Sequence, residues 1–491
     1  MEDKKNTLKL TNSLENNISI IKNIFTNDDT IIFRKFESLE ELNIEFCLVF
    51  EKNMSDLKLI SRDIIEPILN HELPSSLSED TVIDYLIRRV LISPTNQIAS
   101  DVNQIAESVL LGNVVLFIAG VNQAIIIPSK GFQDRSITTP DTEKAVRGPK
   151  DAFTESLDTN LTLIRKRLPD KALKFIFKRL GSKTKTQVCI CYIEGIASEK
   201  ILKELIKRID DIKVDGVVES ANIAENITDN KLSIFQTVGS TERPDDVVTK
   251  LLDGRIAVVC NGTPFVLTVP FVFMEYFRIT EDYNLNYFFG TVNRLLRIIG
   301  FFLTTSTPAI YLAIVVYHQE MIPTTLAISI ASSRKGVPFP TIIEMLVFLF
   351  IFENIREAST RLPTPIGQTV SITGALVIGQ AAVQAKLISS PMVIIVSFTG
   401  ITTFLIVEMK SSTIALRLFF ILCSYIMGLY GYIFGVCAVL FYLVSLRSFG
   451  VPYTYRTTAI DKNAVKDTYI RPPIWYVNFR SKVATNRNKS E

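Results

Sequence analysis

Residues 363–385 have the sequence PTPIGQTVSITGALVIGQAAVQA, which lies in the hydrophobic third of the chain but is built from small residues and amides. Ser371, Ala375 and Gly379 follow one another at intervals of four residues, so they share one face of a predicted helix. In lipid, a face of small residues lets a second helix approach closely, and packing then drives association. The stretch therefore predicts an assembly element or the wall of a polar path.

Three glutamines accompany the small residues in this stretch, namely Gln368, Gln380 and Gln384. A helix that filled a membrane and did nothing else would not need them, because a buried amide requires hydrogen-bond partners. Two explanations stay open for these side chains: hydrogen bonds between helices, and the lining of an ion path.

Hydrophobic residues are unevenly distributed along the 491 residues, of which they form 47%. Up to about Asn293 the chain mixes charged and apolar residues as soluble domains do, and long apolar runs follow from Leu295 to Leu446. The predicted fold is therefore an α/β N-terminal region of two small subdomains followed by an α-helical multi-pass membrane domain. A net charge of +3 is too small to indicate a nucleic-acid partner.

Composition shifts and turn signals divide the chain further. Valine- and isoleucine-rich runs at 113–119 and 123–128 predict a hairpin, and a second hairpin is predicted at 173–193. The predicted organisation is a disordered polar N-terminus (1–29), a first α/β subdomain (30–136), a linker (137–150), a second α/β subdomain (151–290), a membrane domain (291–447) and a basic cytoplasmic tail (448–491).

Four apolar runs are candidate membrane spans: Leu295–Tyr317, Thr341–Glu357, Met392–Val407 and Ile414–Leu446. The last run is too long for one perpendicular helix, so it either breaks near Gly428–Gly431 into two short spans or leaves the bilayer as one long helix. Four to six spans are expected. The basic tail and the absence of a signal-like N-terminus predict that both termini are cytoplasmic, which requires an even number of spans.

The charged string from residue 353 to 361 is the most suggestive functional feature. Glu353 and Arg356 are three residues apart and Glu357 and Arg361 are four apart, so one helical face can pair its own charges. At membrane depth these charges would line a cavity or a subunit contact, whereas beyond the headgroups they would form a solvated helix end. Arg417, near the start of the last apolar run, is expected to extend to the interface.

No combination of residues indicates catalysis, so the sequence does not predict an enzyme. There is no Ser/His/Asp set and no glycine-rich dinucleotide motif, and Gly181-Ser-Lys-Thr184 lacks the glycine that a phosphate-binding loop needs before its lysine. Six cysteines without metal-ligand spacing and two histidines make a metal site improbable. No cofactor is expected.

Several ordered blocks resemble the A subunit of the GerA family of spore germinant receptors. They cover roughly 141–452, and the first 130 residues match more weakly. The blocks are Arg147–Ser156, Ser182–Lys185, Tyr192–Ile196, Asp253–Arg255, Asn261–Pro264, Pro308–Tyr311, His318–Pro323, Pro338–Pro340, Glu353–Arg361 and Gly367–Ala385.

The resemblance implies a multi-pass protein of the inner spore membrane that acts with a transporter-like B subunit and a lipoprotein C subunit. Relatives respond to small nutrients and commit a spore to germination, with early ion release. Oligomeric A subunits of this family have been proposed to form a ligand-gated cation channel, so a homo-oligomer is expected. The rival hypotheses are a secondary transporter and a non-conducting scaffold.

Overall fold

The computed structural model describes residues 9–38, 44–71, 79–93, 95–131, 140, 143, 147–361, 374, 377–455, 468–473 and 475. Two α/β modules come first, which we call the first module (residues 9–131) and the second module (residues 147–270). The helical domain (residues 273–445) follows them. After it, the chain returns to the second module and forms a short antiparallel strand pair.

The first module is a five-stranded antiparallel sheet with helices on it, and its strand order is β1-β2-β4-β5-β3. Its β4–β5 pair confirms the hairpin predicted at 113–128. The elements are α1 (Leu14–Ile24), β1 (Ile31–Glu37), β2 (Glu45–Glu51), α2 (the helical run Leu57–Leu59, Ile60–Ile65 and Glu66–Asn70), α3 (Glu79–Tyr85 with Leu86–Val90), β3 (Gln97–Ala99), α4 (Val102–Leu110), β4 (Val114–Ile118) and β5 (Ala124–Ile127).

The prediction that residues 1–29 are disordered is wrong from residue 9 onward. Helix α1 begins after Ser13, whose side chain accepts a hydrogen bond from the backbone N–H of Asn16. Its buried residues include Leu14, Ile18 and Ile21, which repeat at helical spacing and pack on the sheet. The many asparagines between them hid this apolar stripe from a compositional argument.

The second module is also a five-stranded antiparallel sheet, of order β6-β7-β9-β10-β8. The predicted hairpin at 173–193 is confirmed by the β6–β7 register. The elements are α5 (Leu157–Arg167), β6 (Leu173–Leu180), β7 (Thr186–Ile193), α6 (Glu199–Asp210), α7 (Ser220–Ile227), β8 (Gly239–Thr241), α8 (Pro244–Leu252), β9 (Ile256–Cys260) and β10 (Val266–Val269).

The two modules repeat one another. Both run helix, strand, strand, helix, helix, strand, helix, strand, strand, and both sheets have the same strand permutation. Helix α4 begins at Val102 and α8 begins at Pro244, 142 residues later. The turns after these helices use Gly112 and Gly254, with φ of 86° and 87°, in the left-handed region that glycine tolerates.

A hydrogen-bonded loop of the same design opens both modules. In the first, Asn17 accepts from the backbone N–H of Thr11 and donates to the carbonyl of Thr11. In the second, Asn160 makes the same two bonds with Thr154. The sequences are TNSLENN at 11–17 and TESLDTN at 154–160, a repeat that the sequence analysis missed.

A buried ion pair joins the modules. Arg165 of α5 is fully buried, and its guanidinium donates to Asp28 Oδ2 of the first module at 2.5 Å. The backbone continues the contact, because the N–H of Asp29 donates to the carbonyl of Phe175 in β6. Both charges lie out of water, so each depends on the other.

The described residues of the helical domain are mostly α-helical, and several of the helices are long. After the 3-10 turn Phe273–Phe277 come α9 (Glu281–Asn284), α10 (Tyr287–Tyr317), a 3-10 turn Gln319–Met321, α11 (Thr324–Arg334), α12 (Thr341–Arg361), a helical stretch at 377–384, α13 (Ser390–Thr403), a 3-10 turn Phe404–Met409 and α14 (Lys410–Ser445). By length and composition, α10 and α14 are apolar enough to cross a membrane.

Helix α14 is folded back on itself. Met427 and Gly428 have non-helical backbone angles, and Gly428 has φ 61°. A Cβ atom on Gly435 would lie 3.3 Å from Cys423 Sγ, although a straight helix would place these residues about 18 Å apart. Of the two alternatives for this run, the break into two short helices is therefore confirmed.

The ends of the helical domain differ in what they contact. Near the start of α14, Ser412 donates to the carbonyl of Ile234, and after its end Ser448 donates to the carbonyl of Thr237, so both lie on the second module. We call this end proximal. Tyr317 and Gly428 mark the opposite, distal end, where Tyr317 packs against the bend.

Candidate functional site

Arg417 is the centre of a buried polar network in the helical domain. It lies in the first half of α14 and is 2% exposed. Its guanidinium donates to the carbonyl of Thr304 (Nε, 3.1 Å), to Glu353 Oε1 (Nη1, 3.1 Å) and to Thr403 Oγ1 (Nη2, 3.0 Å). The expectation that Arg417 extends to the interface is wrong, because helices α10, α12 and α13 each supply it with an acceptor.

Pro308 explains why the Thr304 carbonyl is available. In a regular helix that carbonyl would accept from the N–H of residue 308, but proline has no N–H to give. The interruption therefore leaves a strong backbone acceptor inside the helical domain, and such an acceptor is costly unless it is satisfied. Arg417 satisfies it with a charge-assisted hydrogen bond.

Threonines complete the network on the side of α13. Thr304 Oγ1 donates to Thr402 Oγ1 at 2.8 Å, which links α10 to α13 directly. Thr403 Oγ1 donates to the carbonyl of Thr399 and accepts from Arg417, so its position is fixed from both directions. All four of these threonines are buried.

The charged face of α12 pairs as the sequence predicts. Glu353 forms an ion pair with Arg356 as well as with Arg417, and Glu357 pairs with Arg361 at 2.9 Å. The two halves of this face differ in exposure: Arg356 is buried, whereas the side chains of Glu357 and Arg361 are 53% and 77% exposed. Lys410 Nζ lies 3.6 Å from Glu357 at the proximal end.

The charges in the network do not balance. Glu353 carries one negative charge against the positive charges of Arg356 and Arg417, and Glu357 lies between Arg361 and Lys410. The Glu353 side chain is 23% exposed, but a carboxylate that is paired with two guanidinium groups has little affinity left for a cation. The arrangement is suited to holding four helices together, and removing Glu353 would leave the buried charge of Arg417 uncompensated.

The remaining predicted residues lie on the stretch that follows α12. Gln380 and Gln384 are exposed on the helical stretch 377–384. Gly379 is buried, and a Cβ atom there would lie 3.6 Å from Val393 of α13, so this small residue faces a neighbouring helix. Gln368, Ser371 and Ala375 lie outside the described residues, and the functional roles given to the whole set stay predictions.

Sequence reasoning found Glu353 and Arg356 but missed Thr304, Pro308 and Thr403. A signal was present: a proline inside an apolar run frees one carbonyl, and an arginine inside another run needs acceptors. The distance along the chain, 113 residues between Thr304 and Arg417, hides their pairing from any local pattern.

The chain matches the family model described as "Bacillus/Clostridium GerA spore germination protein" over residues 19–483. It is 36% identical to "Spore germination protein KA" of Bacillus subtilis (strain 168), covering 99% of this chain and 90% of that protein. It is also 39% identical to "Spore germination protein A1" of the same strain, over 75% and 77% of the two chains.

A further relative supports the same family. "Spore germination protein GerLA" of Bacillus cereus is 36% identical over 87% of each chain. A crystal structure of the N-terminal domain of the A subunit of the Bacillus megaterium spore germinant receptor GerK3 matches with 28% identity and a TM-score of 0.40, covering 55% of this chain and 99% of that one. This chain therefore belongs to the GerA family of spore germination proteins.

Proposed function

We propose that the chain is the A subunit of a germinant receptor in the inner spore membrane, coupling nutrient detection to ion release as an oligomeric, ligand-gated cation channel. Membership of the GerA family and relatives such as "Spore germination protein A1" support a role in germination. Partner B and C subunits, and cytoplasmic placement of both soluble modules, belong to the same proposal.

The observation that carries the channel proposal is a set of exposed polar side chains, which we propose form one face of the helical domain. Glu357 and Arg361 of α12, and Gln380 and Gln384 beyond it, are exposed on a domain whose other surface is rich in exposed Leu, Ile and Phe. Charged side chains facing lipid at membrane depth are costly, so such a face is expected to meet water or another copy of the chain. Copies arranged around an axis would turn these faces toward a shared polar path.

The buried network has a different role in this proposal. Arg417 and Arg356 already neutralise Glu353, so we assign Glu353 and Arg356 to coupling and assign Glu357, Gln380 and Gln384 to the path. Helix α12 is fixed to α10, α13 and α14 through this network, and a change in their packing would move the exposed half of α12. Gln368 and the small residues Ser371, Ala375 and Gly379 would then act between helices or copies.

The test is cation flux through liposomes that contain the purified chain, compared between wild type and Glu357→Gln. The expected result is flux whose magnitude or cation selectivity changes in the variant, because Glu357 would face the ions. Glu225→Gln, an exposed acid of α7 in the second module, is the matched control and should leave flux unchanged.

Other outcomes identify the rival functions. Saturable solute uptake without conductance would make the chain a secondary transporter. A correctly folded oligomer without flux would transfer conduction to a partner and leave this chain as a scaffold. Flux that is identical in wild type and Glu357→Gln would remove Glu357 from the path.

A further inference from the structure

A second polar cluster lies at the distal end of the helical domain. It brings together Tyr311 of α10, Arg334 at the end of α11, Glu344 of α12 and Ser389, which precedes α13. Glu344 and Glu353 are nine residues apart on α12, which at 3.6 residues per turn places them on opposite sides of the helix. The cluster is therefore separate from the Arg417 network.

One oxygen of Glu344 is fully occupied. Glu344 is 1% exposed, and its Oε1 accepts from both the backbone N–H of Ser389 (2.6 Å) and the Ser389 hydroxyl (2.5 Å). Ser389 is the N-cap residue of α13, and its hydroxyl caps no N–H of its own helix. Glu344 thus attaches α12 to the beginning of α13.

The other oxygen, Oε2, lies 4.0 Å from Arg334 Nε, which is too long for a hydrogen bond. Among the described residues, neither of these two buried atoms has a hydrogen-bond partner, and the Tyr311 hydroxyl has none either. Tyr311 is within electrostatic reach of both Glu344 and Arg334. Three buried polar groups on three helices therefore converge without satisfying one another.

The chemistry of the three groups selects what they can hold. Arg334 disfavours a cation and Glu344 disfavours an anion, because each lies beside the same space. A small neutral molecule that both donates and accepts hydrogen bonds satisfies all three groups. A water molecule about 2.8 Å from each of two atoms can bridge a gap of 4.0 Å between them.

We propose that Tyr311, Arg334 and Glu344 bind a single water molecule, which accepts from Arg334 Nε–H, donates to Glu344 Oε2 and contacts the Tyr311 hydroxyl. The Arg334–Glu344 ion pair is then water-bridged, and the water fastens α10, α11 and α12 together where Glu344 also holds α13. This site lies beyond the polar path of the proposed function and does not depend on it.

The test is hydroxyl-radical footprinting of the full chain in lipid nanodiscs, with rapid mixing into ¹⁸O-labelled water. A bound water generates radicals beside its ligands, so Tyr311 is expected to be labelled severalfold faster than Tyr453. Tyr453 gives the level for a fully buried tyrosine, whose hydroxyl donates to the carbonyl of Gln236 at 2.7 Å. The Tyr311 side chain is partly exposed, so the deciding comparison is Tyr311 in wild type against Tyr311 in Arg334→Met. The ¹⁸O label at Tyr311 should also lag behind that of exposed residues.

Three variants sharpen the test. Arg334→Met removes a ligand of the water and should bring Tyr311 labelling down to the level of Tyr453, whereas Lys335→Met, at the exposed neighbouring base, should not. Increased labelling of Tyr453 itself would identify a misfolded variant. If Arg334→Met misfolds, Glu344→Gln, which retains the acceptor for Ser389, is used instead of it. Tyr311 labelled no faster than Tyr453 in wild type, or ¹⁸O appearing without a lag, would overturn the proposal.

Discussion

At the scale of single residues, the helical domain depends on one missing hydrogen-bond donor. Pro308 leaves the Thr304 carbonyl without its helical partner, and Arg417 takes the place of that partner. The pairs Glu353–Arg356 and Glu357–Arg361 were predictable, because i,i+3 and i,i+4 spacing is visible in one stretch of sequence. The hydrogen-bond partners of Arg417 were not predictable, because they depend on how helices that are distant in sequence pack together.

We predict that Pro308→Ala weakens the hold on Arg417 without weakening α10. Alanine restores an N–H that competes for the Thr304 carbonyl and removes a helix interruption costing ~3 kcal/mol. In a double-mutant cycle followed by thermal unfolding, Arg417→Met should therefore cost less in the Pro308→Ala background than in wild type. Pro391→Ala, at the first turn of α13 where the missing N–H is tolerated, should show no coupling.

At the scale of elements, turn and break signals were more informative than composition. A break in α14 was one of two alternatives predicted for this run, and it was predicted from the glycines in the stretch 428–431. Both hairpins could be predicted from apolar runs on either side of short turns. Helix α1 could not, because its apolar stripe is diluted by asparagine, and strand β1 was missed because charge interrupts its apolar residues.

We predict that Gly428→Ala destabilises the fold, because φ 61° with ψ −137° is a conformation that alanine strongly resists. The new Cβ would also lie 3.0 Å from His318 Nε2 and from Tyr317 Cβ. Strain and crowding together should lower the free energy of unfolding by ~2–4 kcal/mol, as followed by thermal unfolding in detergent. Gly450→Ala is the control for a positive φ without crowding, since φ is 80° there and no atom lies within 4 Å. A loss in Gly450→Ala as large as that in Gly428→Ala would contradict the prediction.

At the scale of the whole molecule, the parts are connected in series. The first module contacts the second through Asp28 and Arg165, and the second contacts the helical domain through Ile234 and Thr237. The number of soluble subdomains was predictable from length and alternation. Their repetition was not, because the shared residues are few and lie about 142 residues apart.

We predict that Asp28→Ala costs ~3–5 kcal/mol of stability, because it leaves Arg165 charged and buried without the carboxylate of its ion pair. Asp210→Ala removes the exposed pair with Lys178 and should cost at most ~1 kcal/mol. Thermal unfolding of the full chain measures both. Similar losses in the two variants would show that burial of the Asp28–Arg165 pair is unimportant.

A pH-dependent contribution is expected where the second module meets the helical domain. A cleft of about 450 Å³ there is lined by Glu143, Asp246 and Lys250 among others. Burial and the charge of Asp246 raise the pKa of Glu143 to about 7, against the opposing effects of the Thr241 hydrogen bond and Lys250. The folded state therefore holds this proton more tightly than the unfolded state, and the contribution to stability is lost as pH rises from about 4.5 to about 7.

Glu143→Gln should accordingly raise the unfolding temperature at pH 8 relative to wild type and change it little at pH 4.5. Asp253→Asn, at another acid lining the same cleft, is the control for a general loss of negative charge. An equal shift in unfolding temperature at both pH values would contradict the assignment to Glu143.

The paired modules have a consequence for how this chain can change. Two copies with one strand order and one opening loop indicate that an ancestral gene for a single copy was duplicated and fused. In the second module the loop at Ile234 contacts the helical domain, because its carbonyl accepts a hydrogen bond from Ser412. The position 142 residues earlier in the first module, Ile92, is 64% exposed. Mutations can accumulate in the first module as long as Asp28 is retained, so sequence divergence between descendants of this gene should concentrate in its first third.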